Sequence, residues 1–398
     1  MSRTIMTLNL GIVFRLKIAC IVSVLVCVIL ISVCSCSHED YEDKGIVEVI
    51  DNNILQSAKE LTDIYDIDLT KCPQVKTISV LYDSIFVTDN QMRKGQNFIS
   101  VYDRDFNIIR EFARHGKGHD EFLMSDMWIN GNEIIANDII QGQYMAITID
   151  SLACLNYFPH TLTVNHSGLT SICIWNSDSV IAVNPHYFRD KEMNIKQGIK
   201  RLMVIGGAGD EEMQDKEIDV DTWNVTEGSL LFKSPDNKRL IFADCSKSLI
   251  EIYDSSLTLV KTIEGPVDLK AEYGLENGDD SSLPSLYFKG MVPSAYSCFC
   301  TDDTHLYLCY NGTFCSNMEE QDKMPTYIFK MDWDGNIKDV YKYGINILSL
   351  SKSKDKDTFY VSVIDSVGDL ALRKISTIPI MQSPEHSPTL VPSEDLLR

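Results

Sequence analysis

The chain predicts an all-β fold: a six-bladed β-propeller preceded by a lipoprotein signal peptide. Three observations predict it. Short apolar, β-rich runs bounded by Asp, Asn, Gly and Ser recur after residue 70, with almost no stretch at helical period. A hairpin with an Asp at its turn repeats: Asp103, Asp150 and Asp254 are 47 and 104 residues apart, and Asp332 follows after 78 more. Six further strands precede the hairpins, so residues 72–375 divide into units of about 51, against roughly 40–50 for a propeller blade.

Composition narrows the class before any element is read. The 398 residues are 44% hydrophobic and 23% charged, which excludes a disordered polyelectrolyte and a polytopic membrane protein. Lys and Arg number 36 against 57 Asp and Glu, a net charge of −21. Such a field repels phosphate backbones, so nucleic acid is not an expected partner.

Residues 1–35 read as a signal peptide. They hold Arg3, Arg15 and Lys17 and no acid, and residues 18–33 are uncharged and mostly apolar. A membrane-spanning anchor is the alternative, but it needs about 20 apolar residues. The run ends in Val33-Cys34-Ser35-Cys36-Ser37, which resembles a bacterial lipobox with Cys36 as the lipid-attachment residue. Cys36 fits better than Cys34 because Ser35 puts a small side chain at the cleavage position. Acyl chains contribute about 0.8 kcal/mol per buried CH₂, so several make a stable anchor. The acidic stretch 37–43 looks like the outer-leaflet export signal of Bacteroidota-type lipoproteins, with a solvated tether as the plainer reading. The implied location is the bacterial outer membrane, lipid-anchored and surface-exposed.

Residues 36–70 form a tether and lead-in. Within it, 45–50 offers a strand outside the ring, and 56–65 is the best helix candidate. Beyond the signal and Cys36 eight cysteines remain, none in a C-x-x-C pair, so zinc-ribbon and thioredoxin-like readings fail. The propeller itself is expected over residues 71–375. Val75–Leu81 is expected to complete the last blade beside 358–363 and 370–375, because closure removes exposed sheet edges.

The hairpins at 99–109, 250–260 and 328–338 each place Asp at the turn, where its carboxylate accepts from backbone N–H groups. A fourth, 147–155, is shorter. The runs 84–89, 133–137, 179–183, 239–244, 305–310 and 358–363 read as the first strands of six blades. Asp89, Asn137, Asn184, Asp244 and Asn311 lie near their ends, and their convergence on the axis would make a metal site. The alternative is that turns require Asp and Asn there.

Two segments carry a family resemblance. Ile64-Tyr-Asp-Ile-Asp-Leu69 leads into the strands, and Phe112-Ala-Arg-His-Gly116-Lys-Gly118-His-Asp-Glu121-Phe122 follows. Together they resemble the TolB-like six-bladed β-propeller lipoproteins of Bacteroidota type, whose first blade ends in a G-x-G-P-x-E-F loop. Gly116, Gly118, Glu121 and Phe122 match; His119 stands where Pro is usual. The resemblance covers about residues 45–375 and implies fold and location more than activity.

The same loop gathers Arg114, His115, Lys117 and His119, with Arg110 nearby, a basic patch on an acidic chain and the candidate loop for an anionic ligand. His115 and His119 are four apart, but Gly116 and Gly118 argue against the helix that would align them on a metal. Asp332-Trp-Asp334-Gly335-Asn336 resembles the opening of a calcium loop, yet position 343 is Tyr where an EF-hand needs Glu. Gly206-Gly-Ala-Gly209 is followed by acids rather than Lys-Ser/Thr, so phosphate-loop readings fail. No G-x-S-x-G or H-E-x-x-H occurs. No catalytic residue, metal ligand or cofactor is assigned. Residues 376–398, with four prolines from Pro379 to Pro392, form a tail.

The resulting expectation is a non-enzymatic binding module for a glycan, a peptide or another envelope protein. The alternative is a metal-dependent hydrolase or lyase using the central channel. The channel wall discriminates: carboxylates and amides favour metal chemistry, and aromatics among polar groups favour sugar.

Overall fold

The computed structural model describes residues 45–72, 75–90, 96–118, 120–138, 140–152, 154, 157–163, 171–176, 179–183, 201–206, 229–269, 273–276, 285–288 and 290–377. The signal peptide, Cys36, His119, Asn184, residues 207–209 and the tail beyond Thr377 lie outside the described residues.

Six antiparallel sheets follow one another along the chain from Val75. Their first strands are Val75–Leu81, Asp126–Asn130, Ile172–Ile174, Leu230–Lys233, Val292–Thr301 and Ser349–Lys352. Beside these lie Ile85–Asn90, Glu133–Asp138, Ser179–Val183, Arg239–Ala243, His305–Cys315 and Thr358–Ile364. A separate hairpin, Tyr273–Glu276 with Ser285–Phe288, stands between blades 4 and 5.

The runs read as first strands are therefore second strands. They stand out in the sequence because neighbouring blades cover both their faces, so they are continuously apolar; Ser179–Val183 is buried at every residue. The true first strands are broken by Ser, Thr and Asp, because one edge faces the axis.

Each blade interface has its own apolar cluster. Phe122 packs with Ile147 between blades 1 and 2, and Tyr144 with Ile174 between 2 and 3. Cys173 and Phe242 fill the 3–4 interface, and Phe232 and Tyr296 the 4–5 interface. Tyr307 meets Phe359 between 5 and 6, and Ile78 meets Tyr360 between 6 and 1. Six interfaces in cyclic order make the sheets a closed six-bladed propeller. Burying one such side chain is worth about 1.5–3 kcal/mol, so opening any interface is costly.

Closure differs from the expectation. Val75–Leu81 starts blade 1, because a tight turn through Tyr82 and Asp83, both at positive φ, returns it directly to Ile85. The strand that closes the ring is Thr62–Ile67, antiparallel to Leu370–Ser376 in blade 6. Tyr343 donates its hydroxyl to Asp63 at 2.6 Å, and Arg373 lies 3.2 Å from Asp66. The helix expected over 56–65 is only one turn, Asn53–Gln56. Unpaired edges of blades 5 and 6 offer this segment ladder partners, and that pairing overrides a short helix.

Upstream, Ile46–Val49 adds an outer strand parallel to Leu259–Glu264 of blade 4, as expected for 45–50. Lys59–Glu60 pairs with Ile337–Tyr343 of blade 5. Residues 46–67 thus run as a strap across the outer edges of blades 4, 5 and 6.

Three of the hairpin aspartates have one common geometry. Asp103 accepts from the N–H groups of Asp105 and Asn107, Asp254 from Ser256 and Thr258, and Asp332 from Asp334 and Asn336. A residue at positive φ follows three positions on: Phe106, Leu257 and Gly335. Asp365, with Gly368, makes the same turn in blade 6. Asp150 does not. It sits in the 3-10 turn Ile149–Ser151 and accepts from the Asn132 amide at 2.8 Å.

Candidate functional site

The six first strands surround a cavity of about 310 Å³. Its wall alternates small hydroxyls with apolar side chains, because close-packed inner strands leave room for little else. Thr77, Ser79, Ser171, Ser229, Ser297 and Ser349 bring hydroxyl groups from five blades, and Trp128 and Phe299 bring aromatic rings. Phe299 is held by stacking on Phe232, with centroids 4.1 Å apart. Trp128 packs against the cluster between blades 2 and 3. Ser349 donates to the Ile78 carbonyl, and Ser171 to that of Ser229, each tying adjacent blades. The Ser297 hydroxyl oxygen is buried with no hydrogen-bond partner among the described residues.

The two ends of the channel differ. Where the first strands end, the Gly131 N–H of blade 2 donates to Thr301 Oγ1 of blade 5 at 3.1 Å, a bond that spans the axis. Where they begin, Lys76, Asp89 and Asp126 meet. Lys76 is the extra residue at a register shift between Val75 and Thr77, and such bulges re-aim a side chain. Its Nζ lies 2.9 Å from Asp126 Oδ1 and 3.5 Å from Asp89 Oδ2. Asp89 is 3% exposed, and desolvation raises its carboxyl to about 6 despite Lys76. Desolvation opposes the charge on Lys76, but the two carboxylates outweigh it and raise its pKa. The mouth thus presents one accessible ion pair over a carboxyl that exchanges its proton near neutral pH.

Among the described residues the donor set for a metal is not assembled. Asp126 is the one carboxylate on the cavity wall among the described residues, and no group of three His, Cys, Asp or Glu among them is arranged to hold an ion. Asp89 and Asn137 are the penultimate residues of second strands, Asp244 directly follows one, and Asn311 lies within another that runs on to Cys315, so all four belong to second strands rather than to those lining the axis. Asp244 accepts from the N–H groups of Ser246 and Lys247, the turn role weighed against a metal role. Asn311 donates to Thr326 and Asn346 inside blade 5. Asp332 closes on its own turn, and Asp334 pairs with Arg239 at 2.9 Å.

The Gly116–Phe122 loop is a latch between blades 1 and 2. Glu121 Oε2 accepts from the Gly118 N–H at 2.9 Å, and Phe122 is fully buried. Gln141 of blade 2 donates to the carbonyls of Gly116 and Glu121, and Asp138 accepts from the Leu123 N–H. These bonds account for Gly116, Gly118, Glu121 and Phe122, the residues that carry the resemblance. Arg114 and Lys117 are exposed, and His115 is half-buried against the Phe98 ring. None of the three lines the cavity. Arg110 is engaged with the Leu152 and Cys154 carbonyls of blade 2.

Sequence reasoning missed the wall residues Asp126, Trp128, Ser297 and Phe299. The signal was present in the short alternating run Asp126-Met-Trp-Ile-Asn130, which is less apolar than the strand after it.

No protein-family model matches the chain, and no curated protein matches it. Among solved structures, it is similar to a member of the DUF4221 family from Bacteroides vulgatus, at 10% identity and TM-score 0.45, over 80% of this chain and 98% of that one. It is also similar to a Bacteroides fragilis protein provisionally assigned to export, at 12% identity and TM-score 0.40, over 84% and 99%. A virginiamycin B lyase from Staphylococcus aureus aligns at 12% identity and TM-score 0.37, over 80% and 99%. At these scores the likenesses carry no argument about function, and the fold rests on the strand pairing above.

Proposed function

We propose that this chain is a lipid-anchored outer-membrane protein whose propeller binds a neutral sugar residue of a glycan in its central cavity, without transforming it. The composition of the wall carries this reading. Trp128 and Phe299 share the cavity with hydroxyls from five blades and with Asp126 at the mouth. Sugars offer apolar C–H faces to aromatic rings and hydroxyls to convergent polar groups. The Ser297 hydroxyl, buried beside this wall without a hydrogen-bond partner among the described residues, would gain from any ligand group that reaches it, since a buried unmatched polar group costs about 1–3 kcal/mol. A net charge of −21 disfavours anionic ligands over neutral ones. The lipobox-like Cys36 and the TolB-like resemblance support the location.

The test is a neutral-glycan array probed with the mature chain, followed by calorimetry on any hit. Trp128→Ala and Ser297→Ala should each weaken a hit at least tenfold while leaving the melting transition cooperative. An array without hits, with a peptide or envelope protein captured in parallel, overturns the sugar assignment. Labelling with an alkyne fatty acid tests the anchor: label should be lost in Cys36→Ser, and a mature mass that retains Met1 refutes it.

A further inference from the structure

We propose that Cys298 and Cys309 are a redox-active thiol pair that closes a cross-strand disulfide within blade 5, with the cavity as the route of the oxidant. The first two strands of that blade pair Thr301 with Leu306, Cys300 with Tyr307 and Phe299 with Leu308. The next pair is Tyr296 with Tyr310, so the bulge between Tyr296 and Phe299 leaves Ser297 and Cys298 together across from Cys309. Side chains alternate along the strand, and the packing follows that alternation. Cys300 and Cys309 belong to the cluster between blades 5 and 6, with Cys298 against it, whereas Phe299 packs on the blade 4–5 side. Beside burial, Cys298 is close enough to help raise the Cys309 pKa, while its own Sγ donates to the Ile347 carbonyl at 3.7 Å. Opposed residues of an antiparallel pair have Cα atoms about 4.5 or 5.5 Å apart, within the roughly 4.4–6.8 Å a disulfide spans.

Access separates the roles of the two sulfurs. Cys298 lines the cavity and is half-buried, whereas Cys309 is fully buried. A small-molecule disulfide entering the cavity therefore meets Cys298 first. The Cys298 thiolate attacks one sulfur, displaces a thiolate and forms a mixed disulfide. The Cys309 sulfur then attacks Cys298, and the second small thiol leaves. One external disulfide is reduced by two electrons, and both protein protons depart on the two thiols released. Burial pushes the Cys300 and Cys309 thiols up alike; Cys309 rather than Cys300 resolves the mixed disulfide because it lies across the ladder from Cys298, whereas Cys300 follows two residues along the same strand.

The experiment incubates the purified full chain with oxidised glutathione, blocks free thiols with iodoacetamide and maps peptides without reduction. Cleavage at Asp302 and Asp303 separates the two cysteines. A Cys298–Cys309 cross-linked peptide is expected in the wild type, absent from Cys298→Ser and Cys309→Ser and retained in Cys300→Ser. Alkylated Cys298 and Cys309, glutathione left on Cys298, or a bond from Cys298 to Cys245 or Cys300 overturns the proposal. The wild-type map alone decides if a variant fails to fold.

Discussion

Lys76 of blade 1 holds Asp126 of blade 2, Nζ to Oδ1 at 2.9 Å, while the buried Asp89 carboxylate lies 3.5 Å from the same ammonium. One cation serves two acids, and only the outer one is solvated. The inner one keeps its proton to about pH 6 because burial opposes its charge.

Asp89 therefore makes stability fall as pH rises. Between its ordinary value of 3.8 and about 6, the folded chain binds a proton that the unfolded chain has released. Above that window the penalty is complete, up to about 3 kcal/mol for a shift of this size. Asp89→Asn removes the titration. Urea melts should show the variant more stable than wild type by about 1–3 kcal/mol at pH 8, with the gap closing by about pH 4.

At Asp332 the sign reverses. Desolvation raises its carboxyl, but bonds from Lys338 and Asn336 outweigh that and hold it at about 2. Its stabilisation is present above 3.8 and lost as pH falls toward 2. Asp332→Ala should cost about 1–2 kcal/mol at pH 7 through the lost turn bonds. Asp334→Ala removes only an exposed partner of Arg239 and should cost under about 1 kcal/mol. Added calcium should shift the melting of neither protein.

Gly116 has no room for a methyl group, whose carbon would lie 1.9 Å from Glu121 Oε2. Gly116→Ala forces the Glu121 carboxylate away and breaks its bond to the Gly118 N–H. The expected cost is about 1–2 kcal/mol, with faster amide exchange at Gly118 as the local readout.

Deleting residues 45–68 removes the strand that closes blade 6 and exposes the Leu370–Ser376 edge. The melt should broaden and its midpoint should drop sharply. Deleting residues 45–49 strips only an outer strand whose residues are all exposed, so the transition should stay sharp. Equal behaviour of the two truncations refutes closure by Thr62–Ile67.

The parts of the fold legible in the sequence were those with local causes. The turn aspartates Asp103, Asp254 and Asp332 announce themselves because one side chain and its own next four residues make the turn. Second strands show as apolar runs because they are covered on both faces. What was not legible depends on distant chain. Thr62–Ile67 is a strand only because Leu370–Ser376, about 300 residues later, offers it a ladder. The same blindness hid the cavity, since Asp126, Ser171 and Ser297 share a wall through ring closure alone. The conspicuous loop from Arg114 drew attention by composition, while the bonds from Gln141 of blade 2 to the carbonyls of Gly116 and Glu121 show its backbone to be a fastening between blades.

The strap formed by residues 46–67 has a mechanical consequence. A pull applied at the amino-terminal end reaches Ile46–Val49 first, then Lys59–Glu60, and only then the strand that seals the wheel. Force entering there would be spent peeling two sacrificial edges before it could touch the seam, so the ring stays shut while the strap lengthens.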